Sequence, residues 1–223
     1  MPITQMPRKQ SGFTLPELVI ALVVNIIVLA ALVSIFVTNL QHYRKVINTN
    51  RLNQQLQTTM DILSADIRRA GFWANASNDL NLDQNNNPFM ASATDISVTG
   101  GNCILFTYDH NKNGTLPTVG SGSDDERYGY RLNSQTLQSR PWGASFACNA
   151  SASAWENITD PNVLLITNLT FTLNTQTIAT GPGTAGISIR SVDISMTGKL
   201  ANDATTTKTI TEHVRIRNDK FIP

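Results

Sequence analysis

Twenty consecutive residues, Leu18 to Val37, contain only two polar side chains, Asn25 and Ser34, and no Asp, Glu, Lys or Arg occurs between Glu17 and Arg44. A run of this length matches the roughly 20 residues that a helix needs to cross a hydrocarbon core. One end of the chain is therefore made for apolar surroundings, whatever the rest does. Two arrangements accommodate it. In a cleaved secretory signal, Arg8 and Lys9 would be the basic start and Val28-Leu29-Ala30 the small-residue cleavage site. In a permanent anchor, the run would stay with the mature chain. The second fits better, because the apolar residues continue past that cut through Leu32, Val33, Ile35 and Phe36, and because a simple signal has no use for Glu17 at its mouth.

Just before the run stands Gly12-Phe13-Thr14-Leu15-Pro16-Glu17. This hexapeptide, followed by its apolar stretch, resembles the class III leader of type IV pilins and of type II secretion pseudopilins. The resemblance implies that residues 1–12 are a leader, that a prepilin peptidase cuts between Gly12 and Phe13 and methylates the new amino terminus, and that Glu17 pairs in the bilayer with the amino terminus of a neighbouring subunit. Physical chemistry agrees with the last point: a carboxylate at membrane depth costs about 2–3 kcal/mol or more, so it needs a partner. Pro16 departs from the more usual aliphatic residue. As the fourth residue of the mature chain, however, it falls where helical N–H groups have no internal acceptor. Asn25 is a second departure, either an interhelical hydrogen-bonding group or a tolerated polar insertion. Charge does not orient the span, since Arg8 and Lys9 are matched by Arg44, Lys45 and Arg51. The resemblance implies a single pass through the inner membrane with the head in the periplasm, and a place at the pilus tip or cell surface after assembly.

Beyond Val37 the pattern stays helical and turns amphipathic: Leu40, Tyr43 and Ile47, then Leu52, Leu56, Met60, Leu63, Ile67 and Ala70 recur at steps of three to five. No Gly or Pro interrupts residues 17–70, and Arg68, Arg69 and Gly71 make a plausible helix end. Either one helix covers 13–71, its transmembrane part about 13–37, or two helices meet near Gln41. From Phe72 onward, Asn-rich turns and β-branched segments predict strands at 96–98, 103–108, 127–132, 136–139, 163–174, 187–197 and 208–217. No helical pattern separates them. The expected fold is thus α+β, with the second half of a long helix packed on an antiparallel β-sheet head over 72–223.

The head carries a second resemblance. Arg68-Arg69-Ala70-Gly71-Phe72-Trp73, Cys103-Ile104-Leu105-Phe106-Thr107-Tyr108-Asp109, Glu126-Arg127-Tyr128-Gly129-Tyr130-Arg131-Leu132 and Val214-Arg215-Ile216-Arg217-Asn218 together resemble minor pilins of the PilW type, related to J-type pseudopilins of type II secretion. That implies a structural subunit whose partners are other minor pilins, the major pilin, the prepilin peptidase, the inner-membrane assembly platform and a tip adhesin. It further implies roles in pilus assembly, adhesion, twitching or DNA uptake. A secretion or competence pseudopilin, and a signal-anchored periplasmic binding domain, are the alternatives.

Composition narrows the rest. With 17 Lys+Arg against 16 Asp+Glu and no extended basic run, the chain shows no electrostatic footprint for nucleic acid. Gly-x-Ser-x-Gly, Walker, His-Glu-x-x-His and Rossmann patterns are missing from the sequence, Gly120-Ser121-Gly122-Ser123 reads as a flexible loop, and nothing selects an acid–base pair, so no enzyme is expected. His42, His110 and His213 are scattered. Cys103 and Cys148 are too few and too far apart for a zinc site. In an oxidising periplasm they are expected to form one disulfide, with two free thiols as the alternative. No cofactor is required. One segment leaves calcium open: Asp109-His110-Asn111-Lys112-Asn113-Gly114-Thr115 places oxygen side chains at positions 1, 3 and 5, Gly at 6 and a carbonyl at 7. Position 12 is Gly120, so the missing carboxylate would have to come from Asp124, Asp125 or Glu126. An ordinary hairpin turn uses the same residue types.

Overall fold

The computed structural model describes residues 12–77, 86–120, 124–151, 154–179 and 186–222. The leader up to Ser11, Arg8 and Lys9 included, lies outside the described residues, as do Ser121–Ser123 of the glycine–serine loop. The chain divides into two units, one ending at Ile47 and the other beginning at Asn48.

Helix α1, Leu15–Ile67, is a single element of 53 residues, so Gln41 interrupts nothing. In the first unit every α1 residue is exposed, and the helix is long and apolar enough to cross a membrane. In the second unit Leu52, Leu56, Met60, Leu63 and Ile67 are buried, because steps of four, four, three and four keep them on one helical face. The helix ends at Ile67 and a turn follows it to Gly71, whose φ of +74° suits a residue without a Cβ. A Cβ there would lie 2.4 Å from Met90 Cε. The carbonyls left over at this end are taken up by the C-terminal segment: Arg217 N–H donates to Arg68 O at 3.1 Å, and Asn218 Nδ2 donates to Ala70 O at 3.1 Å.

Two antiparallel sheets form the head, where the sequence suggests one. The first is a meander in chain order: β1 Ser97–Thr99, β2 Cys103–Thr107, β3 Arg127–Asn133, β4 Thr136–Ser139 and β5 Glu156–Asn157. In the second, β6 Leu164–Ala179 pairs with β7 Gly186–Leu200, and β7 pairs in turn with β8 Asp203–Arg215 and with β9 Lys220–Ile222. The expected strands all form, extended at β6, β7 and the start of β8, while β5 and β9 are too short to show a pattern. One core joins the helix to both sheets. Leu56, Met60 and Leu63 pack with Ile104, Phe106 and Leu137 of the first and with Ile166, Phe171 and Ile194 of the second. At Gly198 the helix approaches closely enough that a Cβ would lie 2.9 Å from Leu56 Cδ2.

β2 is buried on both faces. Its alternating side chains split as strand geometry requires: Ile104 and Phe106 enter the main core, while Cys103 and Leu105 turn to a smaller cluster with Trp155, Phe146 and Cys148. Two short polar links hold the layers. Tyr130 Oη donates to Asp66 on the helix at 2.5 Å. Asp95, before β1, accepts from Arg190 of β7 and from Lys220 of β9, the latter at 2.7 Å.

Candidate functional site

The amino-terminal end of α1 is set up by its own sequence. Thr14 precedes the helix and its carbonyl accepts the first helical bond, from Leu18 N–H at 3.2 Å. Glu17, three residues on, accepts from both Thr14 N–H (2.9 Å) and Thr14 Oγ1 (2.8 Å). A carboxylate at N3 reaching back to the N-cap N–H is one half of a capping box, and it also complements the positive end of the helix dipole. Phe13 is 90% exposed, and a Cβ built on Gly12 would meet nothing within 4 Å. The Gly12–Phe13 bond thus stands directly ahead of a hydrogen-bonded carboxylate and an apolar helical segment that is exposed as far as Ile47. Asn25 is exposed like its neighbours.

Cys103 at the start of β2 and Cys148 in the loop after β4 form a disulfide with Cα atoms 6.1 Å apart. Around it, Arg131 stacks over Trp155 at 4.5 Å and donates to the carbonyls of Cys148 (2.9 Å) and Ala150 (2.8 Å). The 140–151 loop is therefore tied to the first sheet by one covalent bond and one arginine.

The Asp109–Thr115 segment is a tightly bonded turn. Asp109 Oδ2 accepts from Gly114 N–H (3.0 Å) and from Ala74 N–H (2.9 Å), Asn111 Oδ1 accepts from Asn113 N–H (3.0 Å), and Asn113 Oδ1 accepts from Thr115 N–H and Oγ1, both at 2.8 Å. Lys112 and Gly114 both have positive φ, which wraps the chain around the carboxylate. Trp73 Nε1 donates to Gly114 O at 2.8 Å. From just before β3, Glu126 reaches back so that its Oε1 accepts from His110 N–H (2.7 Å) and Asn111 N–H (3.0 Å). Burial raises the Glu126 pKa; the two N–H bonds oppose that, and the Asp109 charge adds to it. Of the three carboxylates proposed for this loop from sequence, only Glu126 bonds to it. Asp124 is exposed. Asp125 is fully buried and occupied elsewhere, with Arg127 at 3.0 Å, with Arg140, and with Gly143 N–H at 3.0 Å.

That Asp125–Arg127–Arg140 cluster escapes sequence reasoning, since nothing local marks Arg140 as buried beneath a loop. Glu126 is likewise missed as a specific partner, because its reach depends on a φ of +53° that a non-glycine residue rarely adopts. His110 is exposed beside the turn, its ring edge-on to Tyr108, and His213 pairs on the surface with Asp193 at 2.6 Å, a contact that holds the Asp193 carboxyl below its usual range. Among the described residues, no group of three or more His, Cys, Asp or Glu side chains is placed to hold a metal.

Comparison with known sequences covers both ends of this description. The profile of the family described as prepilin peptidase-dependent protein B matches residues 45–216. That of the prokaryotic N-terminal methylation motif matches residues 7–36. An uncharacterised protein of Haemophilus influenzae is 26% identical over an alignment of 157 residues, with 54% of this chain and 65% of that protein covered. The chain thus spans just under two thirds of the length of the curated relative it matches. No solved structure matches it.

Proposed function

The chain belongs to the family of prepilin peptidase-dependent protein B, and from that membership we propose that it is a minor pilin, a non-enzymatic subunit that primes assembly of a type IV pilus and sits in a tip complex. The observation that carries the proposal is the combination at one helix end. A Gly-Phe junction and a capped Glu17 stand at the head of an apolar helical segment exposed along its whole length, within the reach of the methylation-motif match. Prepilin peptidase cuts at Gly12. The apolar half of α1 first anchors the subunit in the inner membrane, head outward, and then packs among the helices of other minor pilins and the major pilin on the assembly platform. Glu17 already accepts from Thr14, so its second carboxylate oxygen is left for the methylated amino terminus of a neighbour. The head, with its disulfide, suits an oxidising compartment and presents the surface that a tip adhesin would meet.

Mass spectrometry of the mature chain tests the processing step. N-methylated Phe13 is the expected terminus, and Gly12→Val leaves an unprocessed, unassembled precursor; a mature terminus at Ala31 would remove the pilin reading. Sheared fibres test the assembly step. The subunit co-isolates with pili, and Glu17→Ala is processed but poorly incorporated. Normal incorporation of that variant rejects the ion pair, whereas absence from pili together with a secretion defect assigns the chain to a pseudopilus.

A further inference from the structure

Two carboxylates meet the Asp109–Thr115 turn, and each has one oxygen satisfied and one bare. Asp109 and Glu126 are both 2% exposed. Oδ2 of the first and Oε1 of the second take the four N–H bonds described above, while Asp109 Oδ1 and Glu126 Oε2 are buried with no hydrogen-bond partner. Among the described residues neither carboxylate has an ion-pair partner, although the next residue, Asp125, has two arginines. Two buried, unpaired negative charges near one another are strongly unfavourable, and either a proton or a cation must answer them. The turn offers what a cation would need. Apart from His110, whose ring is exposed and lies edge-on to Tyr108 and Trp142, the side chains and carbonyl it offers are oxygen donors: Asn111 Oδ1, which keeps a lone pair after accepting Asn113 N–H; Asn113 Oδ1, which frees one by releasing the Thr115 hydroxyl; and the carbonyl of Thr115.

We propose that Asp109 and Glu126, together with Asn111, Asn113 and the Thr115 carbonyl, form a calcium-binding site. Hard oxygen donors in an irregular set favour calcium over magnesium, which demands near-ideal octahedral geometry, and over transition metals, which favour imidazole or thiolate. The two carboxylate charges balance the ion. Only two of the side-chain ligands are anionic, so the affinity falls in the range of about 10⁻⁴–10⁻³ M that is typical of extracellular modules. Calcium then fastens three pieces of chain to one another: the segment after α1 through Ala74 and Trp73, the turn itself, and the chain just before β3 through Glu126. The inference stands independently of the pilin reading.

The test uses the full mature chain in detergent, freed of divalent ions by chelator and dialysis. Calorimetric titration with calcium chloride gives one site in the range above, a rise in the thermal midpoint, and no comparable response to magnesium. Terbium bound at the same site luminesces on excitation of the protein's indoles, since Trp73 bonds to the turn, and calcium displaces it. Glu126→Gln weakens calcium binding at least about tenfold and Asn111→Ala severalfold, while Asp124→Asn on the surface leaves it unchanged. If Glu126→Gln does not fold, Asn111→Ala, at an exposed position, decides. Absence of a wild-type response at about 10 mM calcium, an equal response to magnesium, or wild-type affinity in a folded Glu126→Gln or Asn111→Ala variant would overturn the site.

Discussion

Up to Ile47 the helix exposes every residue it has, and after Asn48 it buries Leu52, Leu56, Met60, Leu63 and Ile67 on one face. The backbone is the same in both stretches; the arrangement of apolar residues is not. Apolar all round as far as Val37, the first stretch has no polar face there to turn to water, which is the pattern of a helix that needs lipid or other helices on every side. In the second, Asn, Gln, Thr and Asp stand between the buried positions, so one stripe is covered by the sheets and the rest is solvated; Ile62, off that stripe, is 48% exposed. One secondary-structure element thus carries two patterns, and the head needs only its second half. Any change that affects both halves alike would undo this contrast.

A charge placed in each half probes it most severely. Leu56→Arg puts a guanidinium where helix and sheet leave no room, against Gly198. A loss of more than about 5 kcal/mol is expected, enough to abolish cooperative unfolding of the head. Ile27→Arg should leave the urea midpoint of the head unchanged and act only on membrane insertion, by about 3 kcal/mol at mid-span. Tryptophan fluorescence in urea and carbonate extraction of membranes separate the two. If Ile27→Arg destabilises the head as Leu56→Arg does, the division at residue 47 fails.

Reduction of the disulfide acts on the second unit alone. Cys103 and Cys148 are 45 positions apart, and closing a loop of that length stabilises by about 4 kcal/mol through the unfolded chain. Cys103→Ala with Cys148→Ala should therefore lower the urea midpoint of the head by that order without altering membrane extraction. An unchanged midpoint would mean that the helix-to-sheet core alone sets the stability of the head.

The same contrast explains what could be read in advance. The helix, its buried stripe and most strands rest on local periodicity: in the strand ending at Arg215, Val214 is buried while Thr211, His213 and Arg215 are exposed, as alternation requires. The division into two sheets was not readable, because it depends on β4 pairing with the two residues of β5 rather than with β6, a choice made by distant packing. The leader motif was readable because it is contiguous. For the 109–115 turn, the side-chain spacing was legible but its fourth partner was not: Glu126 and Asp125 are neighbours of like chemistry, and only the fold sends one to the turn and the other to Arg140.

The smallest effect lies at the start of the packed half. Asp203, which opens β8, accepts from Thr205 Oγ1 (2.7 Å), from Thr205 and Thr206 N–H (3.1 and 3.2 Å), and from Asn48 Nδ2 (3.4 Å), the residue at which the second unit begins. Bonds from Thr205 and then Thr206 hold its carboxyl at about 2, against about 3.9 for an unfolded chain. Because the folded value is the lower one, the bonds stabilise the head above the unfolded pKa, and that contribution fades as pH falls from about 4 towards 2. The side chain is in contact with solvent, so the effect on the urea midpoint should be slight. It should nonetheless be visible residue by residue: in an NMR titration the Asp203 carboxyl should have its midpoint near 2, and Thr205→Val should move it up towards the ordinary aspartate range. The amide of Asn48 should follow the same titration, while residues of α1 before Ile47 should not respond. A normal Asp203 midpoint in the wild type would mean that the Thr205 and Thr206 bonds do not hold in solution; a response spreading into the first half of the helix would mean that the two halves are not separate units.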